Sequence, residues 1–133
     1  MFQLSGKTAL ITGASGGIGS AIAKNLSQQG AHVVLHGTRA GRLEELASEI
    51  GSNVSVVTAN LSDRDAVVSL VAEAAKATGA IDILVNNAGI TRDNLFMRLK
   101  DEEWDDVLEV NLTSSMLLCR SAIRAIGTNS RPA

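Results

Sequence analysis

Residues Thr12-Gly13-Ala14-Ser15-Gly16-Gly17-Ile18-Gly19 stand between a short apolar run, Thr8 to Ile11, and an amphipathic stretch that begins at Ile18. Their placement constrains the fold more than the glycines themselves do. A strand that ends in a Gly-rich turn and opens a helix makes a cradle for a dinucleotide pyrophosphate. Backbone N–H groups at the helix start point at the phosphates, and the glycines let the backbone come close. Strand, turn and helix are in register here, so a nucleotide site is the leading reading.

The rest of the chain is consistent with a single domain. At 133 residues it can bury a sizeable core, roughly 68–70% of its unfolded surface. A formal net charge of −2 gives no electrostatic case for nucleic acid or a membrane surface. The lone cysteine, Cys119, cannot form an internal disulfide, which fits a reducing cytoplasm. Met1 to Thr12 is broken by Ser5, Gly6 and Lys7 and does not read as a signal peptide, and no apolar run is long enough to span a membrane.

Apolar runs alternate with helical patterns, the mark of βαβ units around a parallel sheet. Thr8–Ile11, Val33–Leu35, Val54–Val57 and Ile81–Val85 are short and β-branched, as strands covered on both faces are. Between them run the stripes Ile18, Ala21, Ile22, Leu26; then Leu43, Leu46, Ala47, Ile50; then Val67, Leu70, Val71, Ala74. Gly30, Gly51 and Gly79 follow the three helices, where a left-handed residue is commonly needed. Ser62 is the expected N-cap of the third. Right-handed crossovers then give the N-terminal part of a doubly wound parallel α/β (Rossmann) sheet, about four strands in the order 3-2-1-4.

A fourth helix is expected from about Asp101 to Ile126. Its sheet-facing stripe would be Trp104, Val107, Leu108, Asn111, Ser115, Leu118 and Ala122. Asn111 falls where the pattern asks for an apolar side chain, and burying a bare amide costs about 1–3 kcal/mol. A structural amide bonded to backbone is one reading, a functional group the other. Val110, Met116, Leu117 and Ile123 make the second half apolar on further faces, as in a helix buried against another subunit.

The second strand leads into Gly37, Thr38 and Arg39, about twenty residues past Gly19, where an acid would bind a ribose 2′-hydroxyl and select NAD. No acid occurs before Glu44. Arg39 offers charge-assisted bonds to a 2′-phosphate, worth about 1.5–3 kcal/mol, so NADP is favoured. The alternative for Arg39 is a solvated loop residue. Asn86-Asn87-Ala88-Gly89 follows the fourth strand; alone it reads as a turn, but beside TGASGGIG it is a ligand-approach segment. Asn60, after the third strand, is in the same way a candidate for the adenine ring. His32, His36 and Cys119 lie at no metal-ligand spacing and read as packing, so no metal is expected. Ser114 and Ser115 have no base to activate them.

Together these residues resemble the short-chain dehydrogenase/reductase family. Thr12, Gly13, Gly17 and Gly19 match its TGxxxGxG turn, Asn86 to Gly89 its NNAG, and Asn111 its active-site asparagine. Gly89 to Leu95 and Lys100 to Trp104 look like the 3-oxoacyl-[acyl-carrier-protein] reductases of fatty-acid synthesis. The resemblance implies hydride transfer from NADPH to the 3-keto group of an acyl chain on acyl carrier protein, by a cytoplasmic homo-oligomer. It places the cofactor on Gly13, Ser15, Gly17, Ile18, Gly19, Thr38, Arg39, Asn60, Leu61, Asn87, Ala88 and Gly89. It gives Asn111 a water in the proton relay.

The family's chemistry also uses a serine and a Tyr-x-x-x-Lys that follow the fourth helix. This sequence contains no tyrosine and leaves the family pattern after Ile126. Residues 1–126 are therefore expected to be the dinucleotide-binding region and 127–133 a family-unlike tail. The expectation is an incomplete form, truncated or frameshifted, that is inactive alone, with strand four as an unpaired apolar edge that makes the protein sticky. The alternative is a non-catalytic NADP-binding or oligomer-interface module. Gly16 stands where many NADPH-using relatives carry a basic residue, so cofactor preference rests on Arg39.

Overall fold

A computed structural model describes residues 3–89 and 98–128, with side chains through residue 123. Four parallel strands form one sheet: β1 (Thr8–Ile11), β2 (His32–Gly37), β3 (Val54–Thr58) and β4 (Ile83–Val85), in the order β3-β2-β1-β4. Helices α1 (Gly17–Gln28), α2 (Ala40–Ile50) and α3 (Arg64–Ala75) make the crossovers. β1 lies at the centre and is fully buried along its length, which is why Thr8–Ile11 reads as an unbroken run.

Alternate residues of the central strands face two separate cores. Leu10 and Val34 meet Val67, Leu70 and Val71 of α3 together with Leu117 and Leu118 further on. Ala9, Ile11, Val33 and Leu35 meet Ala23 of α1 and Leu43 and Leu46 of α2 on the other side. Helices on both faces are what allow strands without a polar face.

Several expected boundaries shift. β2 extends from His32 to Gly37 and β3 to Thr58 because each pairs along its full length, Val33 with Val54 through Gly37 with Thr58. β4 is shorter than Ile81–Val85: Ile81 is buried ahead of it, and Asp82 instead accepts the Thr8 backbone N–H on its carboxylate at 2.9 Å. Among the described strands β4 has β1 as its single neighbour. Gly30, Gly51 and Gly79 do take positive φ, at 100°, 91° and 90°.

The N-cap of α3 is Asp63, not Ser62. Its carboxylate accepts the N–H groups of Asp65 and Ala66, while the Ser62 N–H is already held by Asn60 Oδ1 at 2.9 Å. The buried face of α1 is Gly19 and Ala23, with Ile22 and Leu26 half-buried, whereas Ile18 and Ala21 are exposed. The rotation comes from Gly19. Without a side chain there, the helix seats its backbone directly on the glycine turn, which turns Ile18 outward.

The fourth helical stretch is continuous but not uniform. α4 (Asp101–Leu108) passes through a π turn (Glu109–Thr113) into α5 (Ser114–Thr128), two residues past the expected end. The wider turn changes which residues face the sheet. Val110, Ser114, Leu117, Leu118 and Ala122 are buried, while Trp104, Leu108 and Asn111 are exposed, so the expected stripe is wrong in its first half. The exposed Leu112, Met116 and Ile123 form the outer side. Ser114 and Ser115 donate their hydroxyls to the carbonyls of Val110 and Asn111, four residues back, in the segment where the helical ladder widens. Residues 129–133 of the expected tail, and 90–97 of the stretch that carries part of the resemblance, lie outside the described residues.

Candidate cofactor site

Parallel strands all end at one edge of the sheet, so the loops after β1, β2, β3 and β4 converge there. They enclose a cleft of about 660 Å³ lined by residues of all four loops. Gly13, Ser15, Gly17 and Ile18 come from the first loop; Thr38 and Arg39 from the second; Asn60 and Leu61 from the third; Asn87, Ala88 and Gly89 from the fourth. Eleven of the twelve expected cofactor residues therefore meet in one place. The twelfth, Gly19, is buried beneath the turn and does not line the cleft.

The floor is built by hydrogen bonds between β1 and β4. The Thr12 hydroxyl accepts the N–H of Asn87 at 3.1 Å and of Ala88 at 3.0 Å, and donates to the Val85 carbonyl at 3.3 Å. Asn87 Nδ2 donates to the Gly13 carbonyl at 3.1 Å. Thr12 is almost fully buried, and every hydrogen-bonding capacity of its hydroxyl is used.

Close backbone approach explains two glycines. Gly13 has φ +64°, and a Cβ on it would stand 2.8 Å from the Ala88 Cα. A Cβ on Gly19 would overlap the Gly13 carbonyl oxygen and come within 2.7 Å of Asn87 Nδ2. Gly17, by contrast, has open space where a side chain would go. Its place in the cleft comes from being the first residue of α1, where backbone N–H groups have no helical acceptor and the helix dipole favours an anion.

At the far end Arg39 is exposed, and its Nη2 donates to the Ser15 hydroxyl at 3.3 Å. It is the charged side chain among the lining residues. The Asn60 side chain closes a turn onto the Ser62 N–H, and the residue lines the cleft. At the other end, a Cβ on Gly89 would stand 3.3 Å from Asn111 Oδ1, so the exposed Asn111 carboxamide lies beside the last loop. The π turn presents it there and spares its burial. A two-point ion pair holds this turn in place: Arg64 Nε and Nη2 donate to Glu109 Oε1 and Oε2 at 2.8 and 3.1 Å. That pairing holds the Glu109 carboxyl below its usual range.

Sequence reasoning missed Gly16, Gly37, Ser62, Val110 and His36 among the lining residues. The first four are neighbours of predicted ones and line the cleft by adjacency. His36 is different: its ring is buried and hydrogen-bonded at both nitrogens. Only its parity on β2, with its ring on the opposite face from Leu35, could have signalled this. Cys119 is exposed, and its sulfur accepts from the Asn86 side-chain amide at 3.2 Å.

The sequence profile described as short chain dehydrogenase matches residues 7–131. The chain belongs to the short-chain dehydrogenase family. Nodulation protein G of Rhizobium sp. (strain N33) is 58% identical over 120 residues, covering 90% of this chain and 49% of that protein. The 3-oxoacyl-[acyl-carrier-protein] reductase FabG of Escherichia coli (strain K12) is 45% identical over 121 residues, covering 91% and 50%. The chain thus spans about half the length of the curated relatives it matches. A metagenomic short-chain oxidoreductase in complex with NADP superposes with a TM-score of 0.87 at 38% identity, over 92% of this chain and 57% of that one. A short-chain type dehydrogenase/reductase from Mycobacterium marinum gives 0.88 at 34%, over 94% and 52%. The four-strand order and flanking helices are those of this oxidoreductase family. Among the described residues no helix is long and apolar enough to cross a membrane.

Proposed function

We propose that this chain forms the cofactor-holding part of an NADPH-dependent 3-oxoacyl-[acyl-carrier-protein] reductase. The observation that carries the reading is the convergence of four strand-end loops on one cleft, with a glycine turn packed so tightly that Gly13 and Gly19 admit no side chain. Such a cradle suits a pyrophosphate, whose oxygens would meet the free N–H groups at the start of α1. Asn60 and Leu61 would flank the adenine, and Asn87 to Gly89 would approach the nicotinamide ribose. NADPH, when bound, supplies the hydride.

Preference for NADPH over NADH is supported by Arg39. It stands at the second strand's end beside Ser15, where a carboxylate would repel a 2′-phosphate and a guanidinium attracts one. Asn111 is assigned to hold a water at the nicotinamide end. No tyrosine occurs in these 133 residues, so the proton donor expected from the resemblance has no counterpart here. We therefore assign binding and orientation of the cofactor to these residues. The exposed Leu112, Met116 and Ile123 support self-association through the outer side of the π turn and α5.

Isothermal titration with NADPH and NADH tests the reading. Saturable binding of NADPH, with NADH weaker by on the order of tenfold, is the expected result. Absence of heat with both would refute it.

A further inference from the structure

The His36 imidazole joins two walls of the cleft that are otherwise separate in sequence. Its Nδ1 lies 3.3 Å from the Gly13 backbone N, and its Nε2 lies 2.9 Å from the Ala59 carbonyl oxygen. A backbone N–H can only donate and a carbonyl can only accept. The ring must therefore offer a lone pair at Nδ1 and carry its hydrogen at Nε2. The other tautomer would aim N–H at N–H on one side and lone pair at carbonyl on the other. The imidazolium would keep the bond to Ala59 but lose the one to Gly13.

The same residue also grips the turn through its backbone, since the His36 carbonyl accepts the Ala14 N–H at 2.8 Å. Two successive amides of the glycine turn are thus fixed by one residue of β2, while its ring reaches the residue next to Asn60. Burial lowers the ring's pKa, which favours the neutral form this geometry needs. The groups it contacts, on the turn after β1 and the loop after β3, are uncharged, and Arg39 is the charged side chain lining the same cleft.

We propose that His36, as the neutral Nε2–H imidazole, is a positioning residue that tethers the glycine turn to β2 through the Gly13 amide and so holds the phosphate-binding turn of the cleft in place. This rests on the NADPH reading above. His36 touches the protein frame and sets where the Gly13 amide points.

The test has one arm without cofactor and one with it. In the wild-type chain at neutral pH, nitrogen NMR of the ring should show hydrogen on Nε2 and none on Nδ1; an Nδ1–H tautomer or an imidazolium would overturn the proposal. Two variants then separate the two bonds. His36→Asn keeps an acceptor near the position of Nδ1, whereas His36→Gln places its amide toward Ala59 and leaves the Gly13 N–H without an acceptor. His36→Gln should weaken NADPH on the order of tenfold while leaving 2′-AMP, which has no pyrophosphate, within about twofold. His36→Asn should recover most of the NADPH affinity. Equal losses in both variants, or a loss of 2′-AMP as large as that of NADPH, would overturn it. Failure of the wild-type chain to bind NADPH would remove the ligand reading, and the tether would still be decided by Gly13 amide exchange. Exchange faster in His36→Gln than in His36→Asn supports the tether, and equal rates defeat it.

Discussion

The Thr12 hydroxyl accepts the Ala88 backbone N–H at 3.0 Å, so the end of β1 fixes the loop after β4 through a single buried oxygen. The same oxygen takes the Asn87 N–H. Thr12→Val keeps the shape and removes the acceptor: the Ala88 N–H loses its partner, while the Asn87 N–H keeps the Val85 carbonyl at 3.1 Å. An unsatisfied donor costs about 1–3 kcal/mol, so urea denaturation should show a loss of about 1 kcal/mol or more. Thr12→Ser should recover most of it. A valine variant as stable as the wild type would show that the hydroxyl does not hold this loop.

Gly19 and Gly17 lie two residues apart on the same turn and should respond oppositely to alanine. A Cβ on Gly19 has no room against the Gly13 carbonyl and Asn87, and forcing it in costs about 1–3 kcal/mol. A Cβ on Gly17 meets nothing within 4 Å, and alanine in place of glycine at a compatible helical position stabilises by about 0.4–1 kcal/mol by restricting the unfolded chain. Thermal melts of Gly19→Ala and Gly17→Ala should therefore move in opposite directions.

Cofactor choice should be tunable at two exposed positions. Arg39→Ala should weaken NADPH on the order of tenfold and leave NADH nearly unchanged, because a charge-assisted bond is lost only with the 2′-phosphate. Gly16 has an ordinary negative φ of −81°, and a Cβ there would make only ordinary contact, 3.7 Å from the Gly13 carbonyl. Gly16→Arg should fit and raise NADPH affinity by a similar factor. Titrations of both variants with both nucleotides check this; parallel changes for NADPH and NADH would contradict it.

Stability should fall as pH drops below about 6.5. Burial holds both His32 and His36 below that ordinary value, so in this range the unfolded chain binds more protons than the native one. The loss begins at the unfolded value near 6.5 and ends once pH falls through the native values. Above 6.5 the contribution is fully present. Glu109, whose carboxyl Arg64 holds low, adds a separate loss only below about pH 4.5. Urea midpoints measured from pH 5 to 8 should show the histidine limb, and His36→Asn should flatten part of it.

Much of this was readable in the sequence, for physical reasons that differ by element. β1 is covered on both faces and gives an unbroken apolar run, so its bounds emerge directly. The α2 and α3 stripes pack by side chains at regular helical spacing, and Leu43, Leu46, Val67, Leu70, Val71 and Ala74 are buried where periodicity puts them. Periodicity fails where packing is by backbone or the spacing itself changes. α1 seats through Gly19, which carries no hydropathy signal, and the π turn at Glu109–Thr113 shifts the stripe so that Asn111 emerges at the cleft's rim. His36 escaped because its ring bonds Gly13 and Ala59, partners distant in sequence and marked by nothing but topology.

The most direct measurement is a backbone NMR titration of the chain with NADPH, following every assigned amide. The largest shifts should fall on Gly13 to Ile18, with further changes at Thr38, Arg39, Asn60, Leu61 and Asn87 to Gly89. A spectrum that does not move, or one whose changes cluster away from the glycine turn, would contradict the assignment of this cleft to a dinucleotide.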